Sequence, residues 1–393
     1  MHKIDGYGAT PENTFTEGSP GPVLVPPTYV TADWANAVQG EIVAVIEDAG
    51  IVLDKGNNTQ LLQAISVHAG HIDTIGALRL VYGSAARRAV HVAGYYVPGD
   101  GGGGPLRVWR FGAPAGTYID NGGPIIVPDG GDGSAAWVWE HSGPVNVRWF
   151  GALGDGVADD TLALQDAIDY AVDHSLLLFL PDGIYRTTSA LVANETLALL
   201  GCGAAPYNDV LGTPGKGSWF HFDHLGVGLR IESVNPISGN LIEKIGTKRT
   251  QPAPGPAWAP NDCDFDFVVS NADCTMRDVL MLNATRGISH LNADYGRMQV
   301  FNVRGQFFKK GMVVDDSMDV LRVHDFHGWP FWSQHADVEA FMLLNLDLIH
   351  LYRTDNPQLS DIFSIWAKTC LRISQGANGT VSHLQLGRIQ ADS

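Results

Sequence analysis

The sequence is short of several things. Only 17% of its 393 residues are charged, and the signs are unequal: 25 Lys and Arg against 42 Asp and Glu give a formal net charge of −17. An acidic chain repels phosphate backbones and anionic bilayers, and the densest basic cluster is Lys248-Arg249. Nucleic acid is therefore not expected as a partner. Cysteine is scarce. Cys202, Cys263, Cys274 and Cys370 form no C-x-x-C pair, which argues against a zinc site and a disulfide framework and for buried reduced thiols. Long hydrophobic runs are missing too. The longest, SLLLFLP at 175–181, falls far short of the roughly 18 apolar residues that cross a bilayer, so no membrane insertion is expected. The opening MHKIDGYGAT has no apolar signal-peptide core, and synthesis in a cytosol is the default. Nothing calls for a cofactor or a metal.

What the chain has is glycine, 46 residues of it, beside an apolar content of 45%. That mixture suits a β-rich fold with many turns, and the length suggests two or three domains. Residues 1–30, rich in Pro, Gly and Thr, read as an extended arm. TADWANAVQGEIVAVIEDAG then reads as a helix, with Thr31 as N-cap, Trp34, Val38, Ile42, Val45 and Ile46 on one face, and Gly50 at the end. A second short helix fits NNTQLLQAISVHAG, with Asn58 or Thr59 capping and Leu61, Leu62 and Ile65 apolar. Two such helices bury too little alone. Docking onto another protein or onto copies of the chain is the remedy, through the stripe Trp34, Val38, Ile42 and Ile46. From 76 to 145, alternating segments such as VHVAGYYVPGDGGGGPLRVWRF predict a small antiparallel β unit. Gly101 to Gly104 belong to a turn rather than a phosphate loop, since no G-K-[ST] follows.

The C-terminal half repeats. An apolar-apolar-any-apolar pattern recurs as VLMLN from Val279, VFNVR from Val300, VLRVH from Val320, FMLLN from Phe341, IFSIW from Ile362 and, weakly, HLQLG from His383, in steps of 21, 20, 21, 21 and 21 residues. That period is too short for helical pairs or propeller blades and suits one coil of a strand solenoid. Leu280, Phe301, Leu321, Met342, Phe363 and Leu384 should stack inward, and Leu282, Val303, Val323, Leu344, Ile365 and Leu386 beside them. Met281, Asn302, Arg322, Leu343, Ser364 and Gln385 should face out. The fold class is mainly β: a right-handed parallel β-helix of about 21 residues per coil over 146–393, roughly ten coils, behind N-terminal helices (1–75) and the small β unit (76–145). Residues 204–262, including QPAPGPAWAPND, break the period and read as an insertion.

A solenoid needs its first coil covered, because exposed edges template pairing. FGALGDGVADDTLALQDAI (150–168) suits that task. Asp159 or Asp160 can cap a helix whose apolar face is Leu164, Ile168 and Ala171. The spacing departs from a calcium loop. Together with LFLPDGIYRTTSALV and LALLGCG, this stretch resembles the opening signature of the pectate lyase superfamily, in the branch found in bacteriophage tailspikes and tail fibres. Phe150, Gly151, Gly154, Asp155, Gly156, Asp159, Asp160, Thr161, Pro181, Gly183 and Tyr185 carry it. GYYVPGDGGGGPLRVW with DNGG resembles the segment that often precedes this β-helix, and the helices at 30–65 resemble a tail-attachment N-terminus. The resemblance implies a homotrimer in the virion, fixed to tail or baseplate by its N-terminal part. Members either act on host surface polysaccharide or only bind and serve as adaptors for another receptor-binding protein.

Polysaccharide hydrolysis needs two carboxylates about 5–10 Å apart, and elimination needs a base beside a charge-stabilising group. The candidates are Asp315, Asp316, Asp319, Asp325 and Glu339, with Asp264 and Asp266 as a further pair and His324 beside Asp325. For any single one of them a turn or a solvated face is the preferred reading. Trp329, Phe331 and Trp332 fit a sugar platform or a core. The short solenoid and its early stop after the last repeat favour a structural fibre or adaptor over a depolymerase. A secreted pectin-type lyase fits least.

Overall fold

The computed structural model describes residues 7–10, 14–18, 26–83, 89–207, 210–293 and 297–392. The chain divides into two units, Met1–His141 and Ser142–Ser393.

Part of the arm at 1–30 lies outside the described residues. The rest has neither helix nor strand, and backbone bonds such as Tyr29 N to Tyr7 O at 3.0 Å tie it together. Helix α1 (Ala32–Asp48) is capped by Thr31, whose Oγ1 accepts from Trp34 N. It packs on α2 (Gln60–His68) through Ile46, Ala49 and Ala64. The expected stripe is fully covered only at that end: Trp34, packed on Phe15, and Val38 are half-buried, Ile42 is 40% exposed, and Leu62 and Ile65 of α2 also face out. The sheet beyond has five strands. His71–Thr74 pairs parallel with Ala89–Gly94, which continues antiparallel through Arg107–Arg110 and Ala136–Trp139 to Ile125–Ile126. Within the expected bounds of 76–145 the pairs are antiparallel, and the one parallel pair comes from a strand that precedes them. Short helix α3 (Ile75–Arg79) follows the first strand, and a parallel pair requires such a crossover connection. Leu78, Val90, Ile126 and Trp137 fill this unit's core.

In Ser142–Ser393 every strand pair is parallel. One inward file passes from coil to coil through Val145, Leu178, Leu199, Ile242, Met276, Val300, Val323, Leu359 and Leu386. All but Leu386 are buried. Helix α4 (Thr161–Asp173) lays Leu164, Ala167, Ile168 and Ala171 against the first coils.

The 21-residue period does not survive. Steps along the file run from 21 residues, Leu178 to Leu199, to 43, Leu199 to Ile242. FMLLN is not a strand: it ends helix α5 (Ala336–Asn345), with Met342 buried and Leu344 exposed. Leu280 and Leu282 turn outward beneath Trp219 and Phe331, while Phe301, Phe363 and Ile365 are only half-buried. Nor is 204–262 one insertion. Ser218–Phe222, Leu229–Glu243 and Gly246–Arg249 inside it are coil strands, and long connecting loops hid their period.

The parity changed because of corners. Lys244, Asp278, Asn302, Asp325 and Asp361 have φ between 48° and 57°. Each sits between two buried residues three apart: Ile242 and Ile245, Met276 and Val279, Val300 and Val303, Val323 and Phe326, Leu359 and Ile362. A strand alternates faces. One left-handed residue resets the alternation, so both neighbours point inward and the chain bends. Asn302 Nδ2 also donates to Asp278 Oδ1 at 2.6 Å, linking two corners. Replacing Asn302 by Val should lower the unfolding free energy of this unit by about 2 kcal/mol, through left-handed strain and the lost bond. Gly, which accepts positive φ, should cost about half as much. Urea midpoints of the two variants check the order.

Candidate binding surface

Three of the four acids of 150–168 are engaged by nearby groups. Asp155 Oδ1 accepts from the amides of Val157 and Ala158, both at 2.8 Å. Asp159 accepts from Thr161 N at 3.1 Å and Thr188 Oγ1 at 2.6 Å. Asp160 precedes α4, but its carboxylate takes Leu153 N (2.7 Å) and Gly154 N (3.0 Å) rather than capping the helix. Burial raises its pKa against those bonds. Gly154, at φ 65°, lies on the ring of Tyr185, where a Cβ would come within 2.8 Å. Tyr185 is fully buried, which pushes its phenol up to about 12. Phe150 is buried, and Gly151 and Gly183 take positive φ.

The other acids are dispersed. Asp266 is buried against Arg249, whose Nε donates at 2.7 Å while Nη1 and Nη2 donate to the carbonyls of His224, Gly226, Asp264 and Phe265. The guanidinium also lies 5.0 Å from the Phe222 ring. Asp264 Oδ1 accepts from the adjacent Phe265 N. Asp315 accepts from Arg353 N at 3.1 Å, and Asp316, at positive φ, from Asn378 Nδ2 at 2.8 Å. Asp319 accepts from Val320 N and lies 3.6 Å from Arg297 Nε. Asp325 is a corner, and Glu339 stands in the first turn of α5. His324 does not pair with Asp325: its Nδ1 lies 2.9 Å from Ser360 Oγ and 3.3 Å from Asp361. The corner between residues 324 and 326 turns the Asp325 side chain away from that row. Phe331 is buried, and Trp332 packs with Trp258 and Phe308, which leaves Trp329 as the outward ring, 39% exposed near Phe363.

Sequence reasoning missed a polar cluster on successive coils. Lys310 Nζ donates to Asp347 Oδ2 at 2.5 Å and lies 3.2 Å from His350 Nδ1, while His350 Nε2 is 2.9 Å from Ser374 Oγ. Burial pushes the Asp347 carboxyl up, but Lys310 and Arg372 outweigh it and hold it below its usual range. Burial first, then Lys310, lowers His350. The arrangement resembles a nucleophilic triad, but its proton runs the wrong way. An ammonium only donates, so Nδ1 accepts and the ring proton sits on Nε2, aimed at Ser374 Oγ. His350 in this state cannot take the Ser374 proton. The cluster joins strands Met298–Ser317, Asp347–Leu351 and Thr369–Ile373. Reading FMLLN as a strand erased the coil that aligns them.

The outer face of the first file carries a groove of about 330 Å³. One outward row runs Thr275, Gln299, Arg322, Gln358, Gln385, and its neighbour runs Arg277, Phe301, His324, Ser360. Phe301, Arg322, His324, Gln358, Ser360 and Gln385 line the groove. Among the described residues no carboxylate pairs with Arg322. The row thus offers one uncommitted cation among amides and a hydroxyl, beside an aromatic face.

Residues 71–142 match the family model of the phage tail protein small four-stranded beta-sheet domain, and residues 144–211 match rhamnogalacturonase A/epimerase, pectate lyase-like. The chain is similar to the Mu-like prophage FluMu defective tail fiber protein of Haemophilus influenzae, 29% identical over 200 residues, covering 45% of this chain and 30% of that protein. It is also similar to the mannuronan C5-epimerase AlgE6 of Azotobacter vinelandii, 32% identical over 140 residues, covering 31% of this chain and 16% of that one. It therefore spans less than a third of either relative. Among solved structures, the tailspike protein gp49 of Acinetobacter baumannii bacteriophage Fri1, a capsular polysaccharide depolymerase, aligns at a TM-score of 0.44 and 13% identity over 82% of this chain and 59% of that one.

Replacing Asp266 by Asn leaves the Arg249 guanidinium buried without its counter-charge. Such a loss costs about 3–5 kcal/mol, and a thermal melt of the Asp266→Asn variant should fall well below that of the parent.

Proposed function

We propose that this chain, a phage tail fibre or tailspike protein whose tail β-sheet domain leads into a pectate-lyase-like parallel β-helix, is a structural component of the virion. It attaches to the tail or baseplate through its N-terminal unit, and it takes part in host adsorption or seats another receptor-binding protein. It is made in the cytoplasm of the host. The observation that carries this reading is the order of segments: the match to a phage tail domain at 71–142 ends just before the pectate-lyase-like match at 144–211. Assembly as a homotrimer is supported by α1, whose apolar stripe at Trp34, Val38 and Ile42 the chain leaves partly uncovered. Light scattering should give three times the 42.2 kDa chain mass, and Ile42→Asp should lower it. A monomeric parent protein would overturn the trimer.

The second reading is direct contact with host surface polysaccharide. The groove favours it: rungs about 4.8 Å apart meet successive residues of an extended glycan lying along the helix axis, and Arg322 supplies a cation for an acidic sugar. Arg322→Ala should weaken binding of acidic host polysaccharide roughly tenfold, since a charge-assisted bond is worth about 1.5–3 kcal/mol. Unchanged binding, measured by calorimetry, would remove the groove from the reading. A depolymerase, whether hydrolase or lyase, has less support: Asp315 and Asp319 accept backbone amides, Asp316 accepts the Asn378 side-chain amide, and His350 is committed to Lys310.

A further inference from the structure

The N-terminal unit holds a concavity of about 680 Å³ beside the turn that joins α1 to α2. Ile72 and Val81 lie at its base, both buried. Around them stand apolar side chains that the unit leaves open: Val52 is 87% exposed, Leu62 66%, Leu80 67% and Tyr82 39%. Scattered exposed apolar residues need no explanation, but a contiguous group around a hollow marks a place where something docks.

The turn that presents Val52 is braced. Gln60 is 7% exposed, its Nε2 donates to Val52 O at 2.6 Å, and its Oε1 accepts from Asp54 N at 3.0 Å. A buried amide spent on holding an exposed valine in place makes the surface preorganised, which cuts the ordering cost of binding. Among the described residues the carboxylates on the rim are Asp54, Asp73 and Asp129, with His71 Nε2 3.8 Å from Asp73, and the one guanidinium there, Arg79, is engaged through both terminal nitrogens by Asp120. A second copy would bring like charge to this rim, since residues 1–141 contain 14 Asp and Glu against 7 Lys and Arg.

We infer that this concavity is the seat for a segment of the tail or baseplate protein that holds the chain, an apolar anchor side chain flanked by lysine or arginine. The inference rests on the reading of the chain as a tail component. It goes beyond that reading in placing the contact at the hollow beside α2, and in giving the partner its chemistry.

The test uses tail particles from the parent phage with an amber codon in this gene, reconstituted with purified full-length chain and assayed by immunoblot and infectivity. Two variants are compared. Val52→Ser with Leu62→Ser removes apolar contact, and Asp73→Lys with Asp129→Lys reverses the rim. The second pair keeps the inference testable if the first fails to fold, because the Asp73 side chain is 74% exposed. Both should lower incorporation at least tenfold, and uptake of the parent chain should weaken with salt. Arg322→Ala, in the other unit, should incorporate normally. Normal incorporation of both variant pairs would overturn the inference while leaving the tail reading intact. Failure of the parent chain itself to load would instead sink the tail reading. A serine variant that loses oligomer mass in light scattering would show that a second copy occupies the hollow, which also overturns the inference.

Discussion

The β-helix depends on a backbone constraint rather than on any single contact. A strand left to itself sends alternate side chains to opposite faces, and a flat strand cannot close a coil. From Ile242 to Leu359 one residue per turn held at positive φ solves both problems. It turns the chain and brings the side chains before and after it to the same side. Aspartate and asparagine tolerate that conformation better than other residues with a Cβ, and they occupy four of the five corners described here, Lys244 being the fifth. Other features follow from the corners: the inward file, the outward rows of Arg322 and His324, and the placement of Asp325 away from the groove.

That constraint also decides what could be read in advance. Local signals were legible. Thr31 caps α1, Leu164, Ile168 and Ala171 line α4, and the parallel solenoid is present. The register was not. Apolar residues at i, i+1 and i+3 suit a strand that turns a corner and a helix equally, so Phe341-Met342-Leu343-Leu344 passed for a coil strand although it lies in α5. A period of 21 fitted through that error, because a coil stretched by loops was split into two. Once the register shifted, Leu280 and Leu282 moved from the core to the outer surface, where Trp219 and Phe331 cover them. Gly246 belongs to the same arrangement: the Trp219 ring lies where its Cβ would be.

The site was legible only as a list of residue types. Asp266 and Asp315 look alike in sequence, but one neutralises a buried guanidinium and the other accepts a backbone amide. The cluster of Lys310, Asp347, His350 and Ser374 could not be seen at all, since its members meet only when strands of three coils are aligned. The groove has the same origin. Gln299, Arg322, Gln358 and Gln385 are unremarkable polar positions until the ladder sets them side by side.

The unequal coils have a consequence of their own. A step of 43 residues between Leu199 and Ile242 and one of 21 between Leu178 and Leu199 end on the same inward file. Length added between corners goes into loops such as the one that carries Trp258 over Phe308, and it leaves the rungs above and below in place. The exterior is therefore modular in inheritance. A lineage that must change the surface it shows can lengthen, shorten or exchange one loop at a time, and the interior that folds the protein does not register the change.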